Sequence, residues 1–270
     1  MAIKNAVSDE AFLVTNRNLA THLFSDPSGR CKQSESLGSM DTPAARSDPP
    51  SYLLRWYWWA YAHPISVRVF EREWLINAIL FGNYDRLRSA TIEALGPDYS
   101  GRTLQMACAY GSFTPELAQR VGAAGGSLDV IDALPVQIDN VRRKAAKHSC
   151  VRATLMDAAA LDFPECTFDR VAMFMLLHEQ PEEWRRHTIA EAARVLKPGG
   201  RLVVTDYARP DWRHPLRYLL PPMLALLEPF ALALWQRPIE SFFSEAPMRF
   251  AAPHRTFFGG LYQLVMLERV

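Results

Sequence analysis

From residue 102 onward, short apolar runs alternate with segments whose apolar residues recur every three or four positions. Arg102–Cys108, Leu128–Ile131, Val151–Leu155, Phe168–Phe174 and Arg201–Thr205 are short and rich in aliphatic residues, the pattern of strands buried on both faces. Between them lie helical patterns. Thr114–Val121 carries a proline suited to a first turn, Val136–Lys147 aligns Ile138, Val141 and Ala145, and Glu182–Leu196 aligns Ile189, Ala193 and Leu196. Lys197-Pro-Gly-Gly200 stops the last of these. Strands alternating with helices predict an α/β fold with a parallel sheet and right-handed crossovers. Two runs flanking Gly259-Gly260 predict a terminal antiparallel hairpin.

Two segments break this rhythm. In Ser51–Leu87, Trp56, Tyr57, Trp58, Trp59 and Tyr61 crowd six consecutive positions, so one helix cannot bury every ring against one flat neighbour. His63-Pro64 interrupts the run, and Val67, Phe70, Trp74, Ile76 and Leu80 resume helical spacing. Packed helices over a sheet edge, a lid over an apolar substrate and an interfacial anchor all fit. The second segment, Leu216–Trp235, carries only Arg217 and Glu228 as charges. Pro221, Pro222 and Pro229 argue against a straight membrane-spanning helix, leaving an in-plane helix, a tunnel wall or core packing. Arg209, Arg213, His214 and Arg217 stand at its start, as a solvated basic turn or as partners for anionic headgroups. The expected organisation is a polar, disordered tail at 1–48, an aromatic helical cap at 49–98, and an α/β domain at 99–270 with an apolar insertion at 209–250.

Composition narrows the function. With 270 residues and a formal net charge of +1, the chain has no basic field for nucleic acid. Its four cysteines are scattered without Cys-x-x-Cys, which speaks against a zinc knuckle or a disulfide framework. No apolar secretory segment opens the sequence. Prolines (19) outnumber glycines (13), which is unusual for a protein built around glycine-rich loops.

The shortage is felt after the first predicted strand, in Leu104-Gln-Met-Ala-Cys-Ala-Tyr-Gly-Ser-Phe-Thr-Pro-Glu-Leu-Ala118, where doubly wound sheets bind ligands. The second strand ends on Asp132, placed to accept hydrogen bonds from a ribose diol. Met156-Asp157-Ala158 follows the third strand. Phe168–Val171 with Leu176-Leu-His-Glu179, then Arg194–Leu202, complete the series. These blocks, in this order between Gly101 and Tyr207, resemble class I S-adenosylmethionine-dependent methyltransferases. The resemblance implies a Rossmann-like, mostly parallel seven-stranded sheet and S-adenosylmethionine as cofactor. It implies cofactor contacts from Gln105, Ala107, Ala109, Gly111, Asp132, Ala133, Asp157 and Ala158, with Asp132 at the ribose and Asp157-Ala158 at the adenine. The chain departs from the family's acid-x-Gly-x-Gly-x-Gly, having Gln105, Ala107 and Ala109 in the first three places. A carboxylate near the methionine ammonium favours its protonated form, and an amide removes that bias. A neutral amine is a nucleophile, so the site is expected either to release nitrogen rather than methyl, or simply to preserve shape with Gln105.

Arg55-Trp-Tyr-Trp-Trp-Ala-Tyr-Ala-His-Pro64, Met106–Ala118 and Leu176–Arg186 resemble a narrower group, the RquA family of rhodoquinone biosynthesis, from about Pro49 to the C-terminus. That resemblance implies conversion of ubiquinone to rhodoquinone, with S-adenosylmethionine as amino donor and a divalent metal, manganese, whose ligands the sequence leaves unassigned. It also implies peripheral contact with the inner membrane from the cytoplasmic side, or a mitochondrial setting in a eukaryotic host. Tyr110 and His178 are the candidate catalytic residues, against buried packing roles for both. Two alternatives stay open: a conventional quinone methyltransferase, opposed by residues 105, 107, 109 and 110, and a non-catalytic quinone carrier, opposed by Asp132 and Asp157.

Overall fold

The computed structural model describes residues 49–270 apart from Glu245; the tail expected at 1–48 lies outside the described residues. Five strands follow one another in parallel: β1 (Arg102–Met106), β2 (Ser127–Asp132), β3 (Val151–Leu155), β4 (Phe168–Phe174) and β5 (Leu196–Tyr207). Three more close the sheet: β6 (Met248–Phe250), β7 (Arg255–Phe257) and β8 (Tyr262–Arg269). The order is β3-β2-β1-β4-β5-β8-β6, with β7 also on β8. β6 pairs with the end of β8 and β7 with its start, both on the side away from β5. The expected seventh position is thus shared by two short strands, and β7–β8 is the hairpin predicted around Gly259-Gly260.

The chain reverses direction across the sheet between β1 and β4, so a crevice opens at the C-terminal ends of these strands. On one face lie α4 (Tyr84–Ala94), α5 (Phe113–Ala123) and α6 (Pro135–Lys144), which bury Leu87, Phe113, Leu117 and Val141. On the other, α7 (Glu182–Val195) buries Ile189, Ala192 and Val195. Residues 84–94, expected in the cap, belong to this sheet-covering layer.

The cap itself comprises α1 (Ser51–Trp56), a π-helical turn (Trp58–Ala62), α2 (Pro64–Phe70) and α3 (Glu73–Ile79). His63 ends the aromatic run and caps α2, its ring nitrogen accepting the Ile65 N–H at 3.3 Å, with Pro64 in the first turn. Its rings divide between two environments. Tyr52 and Tyr57 are buried, whereas Trp58 is 54% and Trp74 66% exposed. The apolar insertion forms α8 (Leu216–Leu227) and α9 (Ala231–Gln236), and Phe230 between them meets the rings of Tyr52, Trp56 and Tyr57. No described helix is long and apolar enough to cross a membrane.

Tyr84, at the start of α4, ties this layer to the loop after β1. Its hydroxyl accepts the Phe113 N–H at 2.9 Å and donates to the Tyr110 carbonyl at 3.0 Å. Gly111 packs directly over it: its φ is +74°, and a Cβ there would lie 2.6 Å from the Tyr84 hydroxyl, so glycine is required. Tyr84→Phe leaves two buried backbone groups without a partner and is expected to cost about 1–3 kcal/mol in urea unfolding. An unchanged midpoint would show that the hydroxyl carries no such load.

Candidate active site

The C-terminal ends of β1 to β4 form the floor of a cleft of about 610 Å³, counting its open mouth. Ala107, Cys108, Asp132, Ala133, Asp157 and Ala158 line the floor, while Tyr52, Leu53 and Tyr61 of the cap roof it. Five of the sequence-selected cofactor residues therefore meet in one place. Gln105, Ala109 and Gly111 stand behind that lining.

Asp132 is the best-defined polar group. One carboxylate oxygen accepts the Cys108 N–H at 2.8 Å and the other the Leu134 N–H at 2.9 Å. Each oxygen keeps a further lone pair. Burial pushes the carboxyl up to about 6 against the pull of these backbone donors. Asp157 accepts the Ala159 N–H at 2.9 Å in a tight turn at the other end of the cleft. The thiol of half-buried Cys108, beside Asp132, is pushed well above its usual range, by desolvation first and then by that carboxylate.

The loop after β1 keeps a glycine-like course at Ala107, with Gly111 as its one glycine. Ala107 has φ +69°, a left-handed conformation that costs a non-glycine residue about 1–2 kcal/mol. Its carbonyl is held by the buried side-chain amide of Gln105 at 3.0 Å, whose own carbonyl oxygen is buried with no partner. Met175, after β4 and also on the cleft, has φ +56°. Lys144 of α6, a residue with no signal in its amphipathic pattern, donates to the carbonyls of Ala109 and Gly111 and pairs with Glu71 of the cap at 3.0 Å.

Tyr110, selected as a candidate catalytic residue, faces the cap instead of the cleft. Its hydroxyl donates to the Ala60 carbonyl and accepts from Gln137, both at 2.8 Å, and its ring stacks between Tyr61 and Phe70. His178 lies in a short 3-10 turn after β4, buried, with Nδ1 2.8 Å from Asp206 of β5. Asp206 also accepts the N–H groups of Leu177 and Tyr207, each at 2.7 Å. Burial alone would lower the imidazole, but Asp206 prevails and holds it up at about 9. Two carboxylates approach its Nε2: Glu179, already paired with it as His178-Glu179 in the sequence, at 3.8 Å, and Glu228, which sequence reasoning did not join to it, at 4.0 Å. Beneath them, fully buried Arg185 donates to the carbonyls of Leu177, Gln180 and Phe230, locking the insertion onto the core. Among the described residues, no group of three or more His, Cys, Asp or Glu side chains is arranged to hold a metal ion, so the expected divalent metal finds no ligands there.

Residues 103–200 match a methyltransferase domain family. A demethylmenaquinone methyltransferase of Tropheryma whipplei is 31% identical over 171 residues, covering 60% of this chain and 69% of that protein. The chain belongs to the class I S-adenosylmethionine-dependent methyltransferases. The ubiquinone/menaquinone biosynthesis C-methyltransferase UbiE of Stutzerimonas stutzeri is 34% identical over 140 residues, 50% of this chain and 54% of that protein. Matches to curated relatives thus span from about half to about two thirds of their length. Among solved structures, a SAM-dependent methyltransferase from Aquifex aeolicus superposes with a TM-score of 0.56 at 17% identity, covering 77% of this chain and 99% of that one.

The family's cofactor, S-adenosylmethionine, fits the cleft. Asp132 and Asp157 offer acceptors at two points of the floor, and the partnerless Gln105 oxygen lies near the end of β1, behind that lining. Ribose hydroxyls placed at Asp132, as the resemblance implies, would donate to its ionised form, so protonation would compete with binding. Affinity for the nucleoside is expected to be nearly flat above about pH 7, to halve near pH 6 and to be about tenfold weaker at pH 5 than at pH 7. Asp132→Asn should weaken binding at pH 7 and abolish this dependence in calorimetric titrations. A dependence that survives the substitution would assign it to another group.

Proposed function

We propose that this protein transfers the α-amino nitrogen of S-adenosylmethionine to the ring of ubiquinone, replacing a methoxy group to give rhodoquinone, as the RquA resemblance implies. Gln105 carries the reading. It stands fully buried where methyltransferases of this class hold an acid, and its amide is turned to the Ala107 carbonyl. A carboxylate would keep the amine as ammonium, whereas the neutral amide leaves it free to act as a nucleophile. The amine lone pair forms the new carbon–nitrogen bond, and the methoxy group departs as methanol with the proton that nitrogen gives up. Loss of a proton from the neighbouring side-chain carbon then lets the old carbon–nitrogen bond break. The amino group stays on the ring, and an unsaturated carboxylate remains on the sulfonium.

A second reading, methyl transfer to a quinone ring, draws its support from the relatives, which are named as demethylmenaquinone and ubiquinone/menaquinone C-methyltransferases. Incubating the protein with a short-chain ubiquinone and S-adenosylmethionine labelled with heavy nitrogen at the α-amine, with manganese present or withheld, separates the two. Amination gives a lighter quinone bearing the label; methyl transfer needs an open ring position, which ubiquinone lacks, so it is read in parallel on a demethylmenaquinone, where it gives a heavier product without the label. Gln105→Glu is expected to lower amination at least about tenfold while sparing nucleoside binding. Equal turnover would overturn the amine-release reading.

A polyprenyl substrate also calls for contact with lipid. α8 buries Leu220 and Leu224 but turns Tyr218, Leu219, Met223, Leu226 and Leu227 outward, Leu226 being 77% exposed. Arg209, Trp212 and Arg213 precede it on the surface, as an amphipathic element at a headgroup layer would arrange them. The double variant Leu219→Asp, Leu226→Asp is expected to abolish co-flotation with anionic vesicles. Undiminished flotation would assign the contact elsewhere.

A further inference from the structure

Among the described residues, three carboxylates line the cleft, and two of them hold the places given to the nucleoside. Asp132 ends β2, and Asp157 follows β3. The third is Glu179, in the 3-10 turn after β4. In the sheet order β3-β2-β1-β4, β1 and its loop separate Glu179 from the other two. With adenine at Asp157 and ribose at Asp132, the line from base to sugar runs from β3 to β2. It carries the amino-acid end on across β1, towards the side of the cleft that Glu179 borders. No lysine or arginine among the described residues pairs with this carboxylate, and its Oε1 lies 3.8 Å from His178 Nε2, beyond hydrogen-bond reach. Its side chain is 14% exposed and accepts a hydrogen bond from the Tyr61 hydroxyl of the roof.

Its surroundings favour a carboxyl that keeps its proton. Glu228 faces it from the insertion, Asp132 from β2, Tyr110 from the loop after β1, Tyr207 from β5, and Tyr52, Tyr57 and Tyr61 from the cap, with His178 beside it. Burial, with Glu228 and Asp132 behind it, outweighs His178 and the Tyr61 hydrogen bond and holds the carboxyl up at about 8. Asp132, at about 6, has given up its proton at neutral pH, whereas Glu179 retains one. Two carboxyls of one cleft, driven apart in this way, divide into an acceptor and an acid. Resting on the amination reading above, we propose that Glu179 is the catalytic acid–base of the exchange, giving its proton to the departing methoxy oxygen and taking one from the nitrogen that has joined the ring.

The chemistry balances with this one group. The neutral amine adds its lone pair to the methoxy-bearing carbon, and the electron pair of the ring double bond moves onto the carbonyl conjugated with it. That pair then returns and the carbon–methoxy bond breaks. The oxygen leaves with the bond's electrons and takes the Glu179 proton, departing as methanol. The carboxylate left behind accepts a proton from the ring-bound nitrogen and is restored to its starting form. No oxidant or reductant is consumed.

The test uses the full chain with short-chain ubiquinone, following kcat against pH, S-adenosylmethionine affinity by calorimetry and carboxyl protonation by infrared titration. The acid form is the active one, so wild-type kcat is expected to fall as pH rises through about 8, in step with loss of a protonated-carboxyl band. Glu179→Gln is expected to lack that band and that fall, to lower kcat at pH 7 at least about tenfold and to keep nucleoside affinity within about twofold. Glu179→Asp should recover part of kcat. Tyr61→Phe removes a hydrogen bond that holds the carboxyl down, so the fall should move to higher pH. Unchanged kcat in Glu179→Gln, or a fall near pH 8 that survives in it, overturns the acid–base assignment. Loss of nucleoside affinity in that variant makes Glu179 part of the nucleoside site and overturns it too. A wild type that transfers methyl, or neither group, fails the amination reading and the acid role with it. A wild type that aminates while Glu179→Gln is unimpaired sinks the acid role alone.

Discussion

The structure turns on how a loop without its usual glycines is kept in place. Ala107 occupies a left-handed conformation that its methyl disfavours, and such strain persists only where the surroundings over-determine it. Here they do so from four sides. Gln105 holds the Ala107 carbonyl, Lys144 those of Ala109 and Gly111, Tyr84 that of Tyr110, and the Tyr110 hydroxyl reaches Ala60 in the cap. The loop is rigid because it is tied outward to the cap, not because its backbone is free to adopt the turn. The consequence for the cleft is direct: the element that roofs the nucleoside is fastened to the element that floors it.

A parallel logic governs the neighbouring cluster. Buried ionisable groups are tolerated when paired, and the His178–Asp206 pair is set firmly, since Asp206 also takes three backbone N–H groups, those of Leu177, His178 and Tyr207. Glu179, Glu228 and Tyr57 are less completely satisfied, and they sit where cap, core and insertion converge on Phe230 and Arg185. The two greasy segments therefore do more than cover the sheet. They also bring the Glu228 carboxylate and the Tyr57 phenol together in the interior, next to His178.

Much of the fold was legible because buried parallel strands read as apolar runs: Val151–Leu155 and Phe168–Phe174 fall on their predicted bounds. Less legible was the outer edge, since two three-residue strands leave almost no pattern. Tyr84–Ala94 read as cap because it follows the aromatic run without a break, and its packing on the sheet shows only in three dimensions. The floor of the cleft was read, through the family resemblance, from Asp132 at the end of β2 and Asp157 two residues past β3. Tyr110 was visible as an aromatic in the loop, but the direction of its ring depends on Tyr61 and Phe70, distant in sequence. Glu228 did leave a signal, a carboxylate amid leucines and prolines, and such a charge needs an inward partner or solvent.

The central claim, that loop and cap act as one unit through Tyr110, is tested most directly by amide hydrogen exchange on Tyr110→Phe. The account predicts faster exchange in residues 57–62 and in residues 107–113 together, with the distal helix 182–195 unchanged. Acceleration confined to one of the two segments, or none in either, would contradict it.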